Sequence, residues 1–243
     1  MLICVIFISS SEGRIVKMLN RRTVIIFVDF ETARDMPNQI GYDIGIAICY
    51  LDGTIIEEYN FVIREVFFGC ADDMKSCYYA KKLPKYYKAL KNGQRKVITV
   101  YQLKKLIADL QEKYNTKIVC AYNTGFDRRA GNNTEKFATD GKYKYLFPYG
   151  TIFWDAWLMA KDTICEMASY KKFCADHGFM TKHKTPRPQT KAEIVYKFIT
   201  KNPTFEEEHQ GLDDVRIEIR IMAECIRKHK KMRRVLGTKK GEF

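Results

Sequence analysis

One short run of residues constrains the fold more than any other feature of the sequence. Thr23 to Val28 is a continuous series of β-branched and aromatic residues, apolar at every position after the first. A strand that is apolar on both faces is typical of a sheet covered by helices on both sides. Asp29 ends the apolar run. The sequence therefore predicts an α/β protein with this strand in the middle of the sheet.

Two further strand-like runs follow closely. They cover residues 41–50 and 54–63, and Leu51-Asp52-Gly53 between them contains the Asp-Gly pair that favours a hairpin turn. The first three strands should therefore form a meander. Two shorter strands are expected after them, at 117–121 and 151–155. Helices are expected at five segments: 100–114, 126–137, 156–162, 192–199 and 212–227.

The charge of the chain points to a polyanionic partner. In 243 residues, 42 Lys and Arg exceed 29 Asp and Glu, which gives a formal net charge of +13. General solubility is the alternative interpretation of this excess. The length suits one domain with insertions. We expect four parts: an N-terminal extension at 1–21, a core domain at 22–228, a basic, helical or irregular insertion at 66–96 within it, and a basic tail at 229–243.

The cysteines and the N-terminus argue against an exported or membrane protein. The eight cysteines are scattered and form no Cys-x-x-Cys pair, which favours a reduced environment. The nearest approach to a zinc site has a spacing that matches no common pattern: Cys165, Cys174, His177 and His183. Residues 1–11 open with an apolar stretch, but this stretch lacks preceding positive charges and a cleavage signal and is too short to span a bilayer. Whether residues 1–17 form an edge strand, a disordered extension or the result of a mis-set start stays open.

Two carboxylates follow the predicted central strand. Asp29 and Glu31 are two residues apart, so on an extended backbone their side chains leave the same face, about 7 Å apart. Burying both would be costly unless a divalent cation bound there, and hard oxygen ligands suit Mg²⁺ or Mn²⁺. The alternative is that the strand simply emerges into solvent at Asp29, which is the more common situation for an isolated Asp-x-Glu.

Four more polar residues stand beside predicted elements. Asp127 follows the fourth strand, where it could be a helix N-cap, and the same interpretation applies to Asp155. His209 and Asp214 are five residues apart, or about 140° on a helix, so they would not share a helical face. We expect His209 in the loop before the last helix, with Gly211 permitting the bend. Taken singly, such a His is usually a surface residue and such an Asp usually interacts with the helix dipole.

The order of these residues is more informative than any one of them. Val-Asp-Phe-Glu-Thr at 28–32, Ala-Tyr-Asn-Thr-Gly-Phe-Asp at 121–127 and His-Gln-Gly-Leu-Asp-Asp-Val at 209–215 resemble, in series, the motifs of the DEDDh exonucleases. The resemblance covers about residues 22–228, and within the family it is closest to exonucleases of bacterial viruses and prophages. It implies a ribonuclease H-like fold: a five-stranded mixed sheet, a meander followed by parallel strands, with helices on both faces.

The resemblance also implies a role for each motif residue. Two divalent cations, Mg²⁺ or Mn²⁺, would bind astride the scissile phosphate to four carboxylates: Asp29, Glu31, Asp127 and Asp214. His209 would take the proton from the attacking water, and the product would be a nucleoside 5′-monophosphate. Five residues would contact the terminal nucleotide, although core packing is an equal alternative for each: Phe30, Thr32, Tyr122, Asn123 and Phe126. Tyr122 stands where the family typically has a His, which bears on substrate choice.

Two alternatives to a DNA exonuclease remain. A catalytically inert nucleic-acid-binding or polymerase-docking module could keep the same fold, although the intact set of four acids and a histidine argues against it. The same chemistry would also cut RNA, and the viral resemblance favours DNA only slightly. We expect the 3′ end of a single strand of DNA or RNA as partner, with DNA polymerase as a possible second one. We expect no membrane association and a location in the cytoplasm of a bacterium or a virus-infected bacterium; the oligomeric state is not predicted.

Overall fold

A computed structural model describes residues 22–237 and places six strands of that range in one sheet. The strands are β1 (Val24–Ala33), β2 (Ile40–Tyr50), β3 (Ile55–Ile63), β4 (Lys96–Ile98), β5 (Ile118–Ala121) and β6 (Ile152–Asp155). Their order across the sheet is β4-β3-β2-β1-β5-β6. β1, β2 and β3 pair antiparallel, whereas β5 is parallel to β1, β6 to β5 and β4 to β3.

This arrangement confirms the predicted fold class. β1 lies inside the sheet between β2 and β5, as its two apolar faces predicted. The turn between β2 and β3 contains Gly53 at φ +88°, a conformation that glycine adopts without steric cost. A meander of three strands followed by parallel strands is the ribonuclease H-like arrangement that the motifs implied. The fold is ribonuclease H-like.

The predicted number of strands, five, was wrong by one. β4 is the additional strand, and it pairs with β3 at the edge of the sheet through residues 96–98. Of its three residues only Ile98 is buried. A strand this short, with one apolar contact to the core, has no period-two pattern that the sequence could reveal.

Helices cover both faces of the sheet, and the alternation of side chains along β1 divides the core between them. Ile25 and Phe27 pack in one cluster with the helices after β6, whereas Ile26 and Val28 pack in a second cluster with the helices after β4 and β5. The first group of helices is α6 (Ala156–Thr163), α7 (Ala168–Asp176), α8 (Ala192–Thr200) and α9 (Gly211–Arg227), and the second is α4 (Val100–Lys113) and α5 (Thr124–Ala138). Among residues 22–237, no helix combines the length and apolar character needed to cross a membrane.

The segment predicted as a basic insertion folds into short helices, and we refer to residues 66–96 as the insertion. Its elements are α1 (Arg64–Phe67), which begins just before it, α2 (Ala71–Ser76), a 3₁₀ helix at Ala80–Lys82 and α3 (Leu83–Lys91). They enclose a small apolar cluster of their own, which also includes Ala33, Ile40 and Tyr42 of β1 and β2. The insertion is therefore packed on the end of the sheet where β1 terminates.

The predicted terminal segments lie mostly outside the described residues. This holds for the whole extension at 1–21 and for residues 238–243 of the tail. Within the described part of the tail, Arg233 forms a bidentate ion pair with Asp162 of α6, at 2.7 and 2.8 Å. This arginine is thus engaged with the domain itself.

Candidate active site

The two acids of the first motif lie inside β1 rather than beyond its end. The strand continues to Ala33, so Asp29 and Glu31 keep the alternation of the strand and point to the α9 face, whereas Phe30 points to the α5 face. The register between β1 and β2 shifts directly after Glu31. Such a bulge bends a strand and redirects side chains, and it occurs often beside active sites.

The third motif meets β1 because two glycines allow its backbone to approach the sheet. A Cβ added to Gly211 would lie 2.5 Å from the backbone nitrogen of Gly45 in β2, and one added to Gly45 would lie 2.2 Å from the backbone of Gly211. Gly211 is therefore required for close packing, not for the bend that the sequence suggested. The positive φ is instead at His209 (+48°), in the loop before α9 as predicted.

A cavity of about 320 Å³ lies between the end of β1, the start of α9 and the insertion. Eight of the ten predicted site residues line it: Asp29, Phe30, Glu31, Thr32, Tyr122, Phe126, His209 and Asp214. Glu31, His209 and Asp214 each offer one ligand atom, and these atoms all lie within 4.8 Å of one another. The structure thus brings residues of the first and third motifs into one polar, partly open site.

Asp127 and Asn123 do not line this cavity. Asp127 is 2% exposed, and its Oδ1 accepts a hydrogen bond of 3.1 Å from the backbone N–H of Phe30. It lies in the first turn of α5 and bonds directly to the backbone of β1, so it is not the N-cap that we considered. Asn123 holds the N-cap position in a left-handed conformation, and its backbone N–H donates to Asp155. Asp155 caps α6, as one interpretation of the sequence proposed.

Burial of several carboxylates together raises the pKa of each. The pKa of Asp29 lies well above its ordinary value because the side chain is desolvated and because Glu218 and Asp127 are close. Desolvation and Asp43 raise the pKa of Glu31 to about 8. Desolvation and neighbouring acids raise the pKa of Asp214 to about 9. Clustered acids of this kind mark a site that favours binding of positive charge.

One carboxylate oxygen of this cluster is buried and accepts no hydrogen bond from the described residues. This atom is Asp214 Oδ1. A buried carboxylate oxygen without a partner is costly, and a divalent cation coordinated by oxygen would satisfy it. The donor set therefore fits Mg²⁺ or Mn²⁺.

His209 has the protonation state that a base requires. Desolvation of the imidazole and the positive charge of Lys82 lower its pKa below the ordinary value. The neutral imidazole is therefore the prevailing form near pH 7 and can accept a proton.

The sequence analysis missed several residues of the cavity, of which Glu218 is the most prominent. Glu218 is 4% exposed, lines the cavity, and its Oε2 accepts a hydrogen bond of 3.1 Å from the backbone N–H of Tyr122. It follows Asp214 by one helical turn, so the helical spacing could have identified it. Glu207, Tyr78 and Tyr79 also line the cavity, and no motif pointed to them.

A buried ion pair stands directly beside the acids. Asp43 of β2 is the register partner of Glu31 and is fully buried against Arg95 of the insertion, which is 1% exposed. Asp43 also accepts hydrogen bonds from the hydroxyl of Tyr86 at 2.9 Å and from the backbone N–H of Gly211 at 3.0 Å. This one carboxylate therefore joins β2, the insertion and the start of α9.

Comparison with known proteins gives similarity of structure only. No protein-family model matches the chain, and no curated protein matches it in sequence. Similar solved structures include exonuclease I of Escherichia coli with a 5cy-dT13 oligonucleotide, at 15% identity and a TM-score of 0.46 over 86% of this chain and 43% of that one. The zinc-bound E. coli exonuclease I complex with single-stranded DNA has 16% identity and a TM-score of 0.46 over 85% and 41%. A moderately thermophilic exonuclease I from Methylocaldum szegediense has 14% identity and a TM-score of 0.45 over 83% and 40%. The chain spans less than half the length of each of these proteins.

Proposed function

We propose that this protein is a metal-dependent exonuclease of the DEDDh type that removes nucleotides from the 3′ end of a single-stranded nucleic acid. The observation that carries the proposal is the convergence of Asp29, Glu31, Asp214 and His209 on one cavity, with Asp127 hydrogen-bonded to the backbone of β1 between the first two acids. These residues come from three motifs that lie far apart in the chain, at 28–32, 121–127 and 209–215.

The acids would hold the cations. Glu31 and Asp214 face the cavity beside His209, and Asp29 lies on the same face of β1. Asp127 would reach the site through a change of its side-chain rotamer or would act by fixing the backbone of Phe30. Two divalent cations, when bound, would supply the positive charge that lowers the pKa of an attacking water and offsets the charge on the leaving 3′ oxygen.

The remaining residues would position the substrate and move the proton. His209 Nδ1 lies 3.7 Å from Glu207, and the imidazole, neutral near pH 7, would take the proton of the attacking water. Thr32 and Phe126 line the cavity and would contact the terminal nucleotide, whereas Phe30 would contact it through its backbone, because its side chain is packed in the core on the α5 face. Tyr122 has its hydroxyl engaged with the carbonyl of Thr190 at 2.6 Å, so its ring rather than its hydroxyl would meet a base.

We propose single-stranded DNA as the substrate, with RNA as the alternative, because the motifs resemble those of viral and prophage exonucleases. The excess of basic residues supports a polyanionic substrate of either kind. The seven described cysteines are free thiols, which supports our proposal of a reducing cytoplasm. Association with a DNA polymerase stays a prediction.

The test is a time course with 5′-labelled single strands of DNA and of RNA in magnesium, manganese or chelator. We expect a ladder that shortens from the 3′ end in the presence of metal, with nucleoside 5′-monophosphate as product. The sugar that is cut identifies the substrate. Tight, salt-sensitive binding without cleavage would replace the proposal with an inert binding module.

A further inference from the structure

The imidazole of His209 is oriented by an aromatic stack. Its ring lies on the ring of Tyr79, with centroids 4.5 Å apart and an angle of 16° between the planes. Its Nδ1 is 3.7 Å from Glu207, which is beyond the distance of a good hydrogen bond. The side chain is 32% exposed, and its backbone has a positive φ. A half-exposed side chain on an irregular loop has several rotamers available, and the stack restricts them.

Tyr79 is itself fixed from two directions. The ring of Tyr78 meets it edge-on, with centroids 4.8 Å apart at 89°. The ammonium group of Lys82 lies 5.2 Å from its centroid, within the range of a cation–π contact. Tyr79 is also the N-cap of the 3₁₀ helix, and its carbonyl accepts a hydrogen bond of 2.8 Å from the backbone N–H of Lys82. The platform under the imidazole is therefore part of the folded insertion.

The insertion also holds the chain on both sides of His209. Lys82 donates a hydrogen bond to the carbonyl oxygen of Glu208, and Lys85 forms an ion pair of 2.8 Å with the carboxylate of the same residue. On the other side, Arg95 donates to the side-chain oxygen of Gln210 at 3.2 Å. Contacts before and after the histidine fix its backbone, and the stack fixes its ring.

We propose that the insertion positions His209 for catalysis and that Tyr79 is the positioning residue for its imidazole. This inference rests on the proposed function, because it assigns the insertion a task at the same site. Lys82 and Lys85 of the insertion are both engaged with the loop that carries the histidine, through Glu208. Tyr79 acts through His209, so its effect should vanish when the histidine is absent.

A double-mutant cycle tests this dependence. Cleavage at saturating 5′-labelled oligonucleotide and magnesium is measured for the wild type, Tyr79→Leu, His209→Ala and the double variant. We expect Tyr79→Leu to lower the rate roughly 10- to 100-fold through misplacement of the imidazole, with substrate affinity unchanged. In the His209→Ala background the same substitution should cause no further loss. Tyr79→Phe keeps the stacking ring and should cleave at nearly the wild-type rate.

Tyr87→Leu is the matched control, because Tyr87 is an exposed tyrosine of the same insertion that packs on Phe67. It should leave the rate unchanged. If the losses from Tyr79→Leu and His209→Ala simply multiply, or if Tyr79→Leu weakens only substrate affinity, Tyr79 does not act through the histidine and the inference fails.

A fallback variant and the activity of the wild type distinguish a failure of the positioning role from a failure of the proposed function. If Tyr79→Leu does not fold, Lys85→Ala takes its place in the cycle, because it releases the ion pair between the insertion and Glu208. Multiplicative losses there would equally overturn the inference. A wild type that fails to cleave any single strand contradicts the proposed function, whereas a wild type that cleaves while the cycle is multiplicative contradicts the positioning role alone.

Discussion

Glu31 and Asp43 are paired across β1 and β2, yet their charges are compensated differently. Asp43 has a buried ion pair with Arg95 and hydrogen bonds from Tyr86 and Gly211. Glu31 faces the cavity, and its pKa is raised to about 8 by desolvation and by Asp43 itself. The fold therefore neutralises one acid of the pair internally and presents the other to the cavity, where a cation would compensate it.

Loss of a cation ligand should abolish cleavage without loss of the fold. We expect Asp29→Asn and Asp214→Asn to reduce nuclease activity to background, because each removes a negative charge that would hold the metal. In chelator these variants should unfold at a temperature equal to or above that of the wild type, since the clustered acids repel one another. Circular dichroism and thermal melts provide the control. Activity that persists in either variant contradicts the assignment.

Removal of the proposed general base should slow chemistry and leave metal binding intact. We expect His209→Ala to lower the cleavage rate by about two to four powers of ten. Magnesium affinity, followed by the metal-induced shift in melting temperature, should stay near that of the wild type. A variant that loses metal affinity and stability together would show that His209 is a structural residue or a ligand.

The acids should make the stabilising effect of magnesium depend on pH. The pKa values of Glu31 and Asp214 are raised from 4.5 and 3.8 to about 8 and about 9. Between these values the native state keeps protons that the unfolded chain releases. The contribution of the two acids to the free energy of unfolding is therefore complete below about pH 4 and is lost as the pH rises toward 8–9. Magnesium requires the deprotonated carboxylates. We expect it to raise the melting temperature more at about pH 8 than at about pH 5.5. Equal shifts at both pH values would contradict the clustering of uncompensated acids.

Breaking the ion pair beneath the site should destabilise the protein more than replacing it. Arg95→Met leaves Asp43 buried without its partner, and such a charge typically costs about 3–5 kcal/mol. The double variant Asp43→Asn/Arg95→Met removes both charges and retains an oxygen for Gly211 and Tyr86, so it should recover most of the free energy of unfolding. Urea denaturation in chelator measures all three proteins. If the double variant is as unstable as the single one, the ion pair is not the source of the loss.

The sequence determined the sheet and most of the candidate site because those features depend on neighbouring residues. The apolar run before Asp29 made β1 a central strand, and the alternation of a strand directed Asp29 and Glu31 to one face and Phe30 to the other. The Asp-Gly turn made the meander. The resemblance of three motifs in series predicted a set of four acids and a histidine, of which Asp29, Glu31, Asp214 and His209 line one cavity.

Only the tertiary structure decided how these residues are held. β4 was too short to leave a pattern, and Asp127 proved not to line the cavity but to accept a hydrogen bond from the backbone N–H of Phe30. The sequence also did not reveal that the insertion contacts the candidate site, because the stack of Tyr79 on His209 joins segments far apart in the chain. Periodicity records which way consecutive side chains point, whereas contacts between distant segments depend on how the whole chain packs, and no local pattern encodes them.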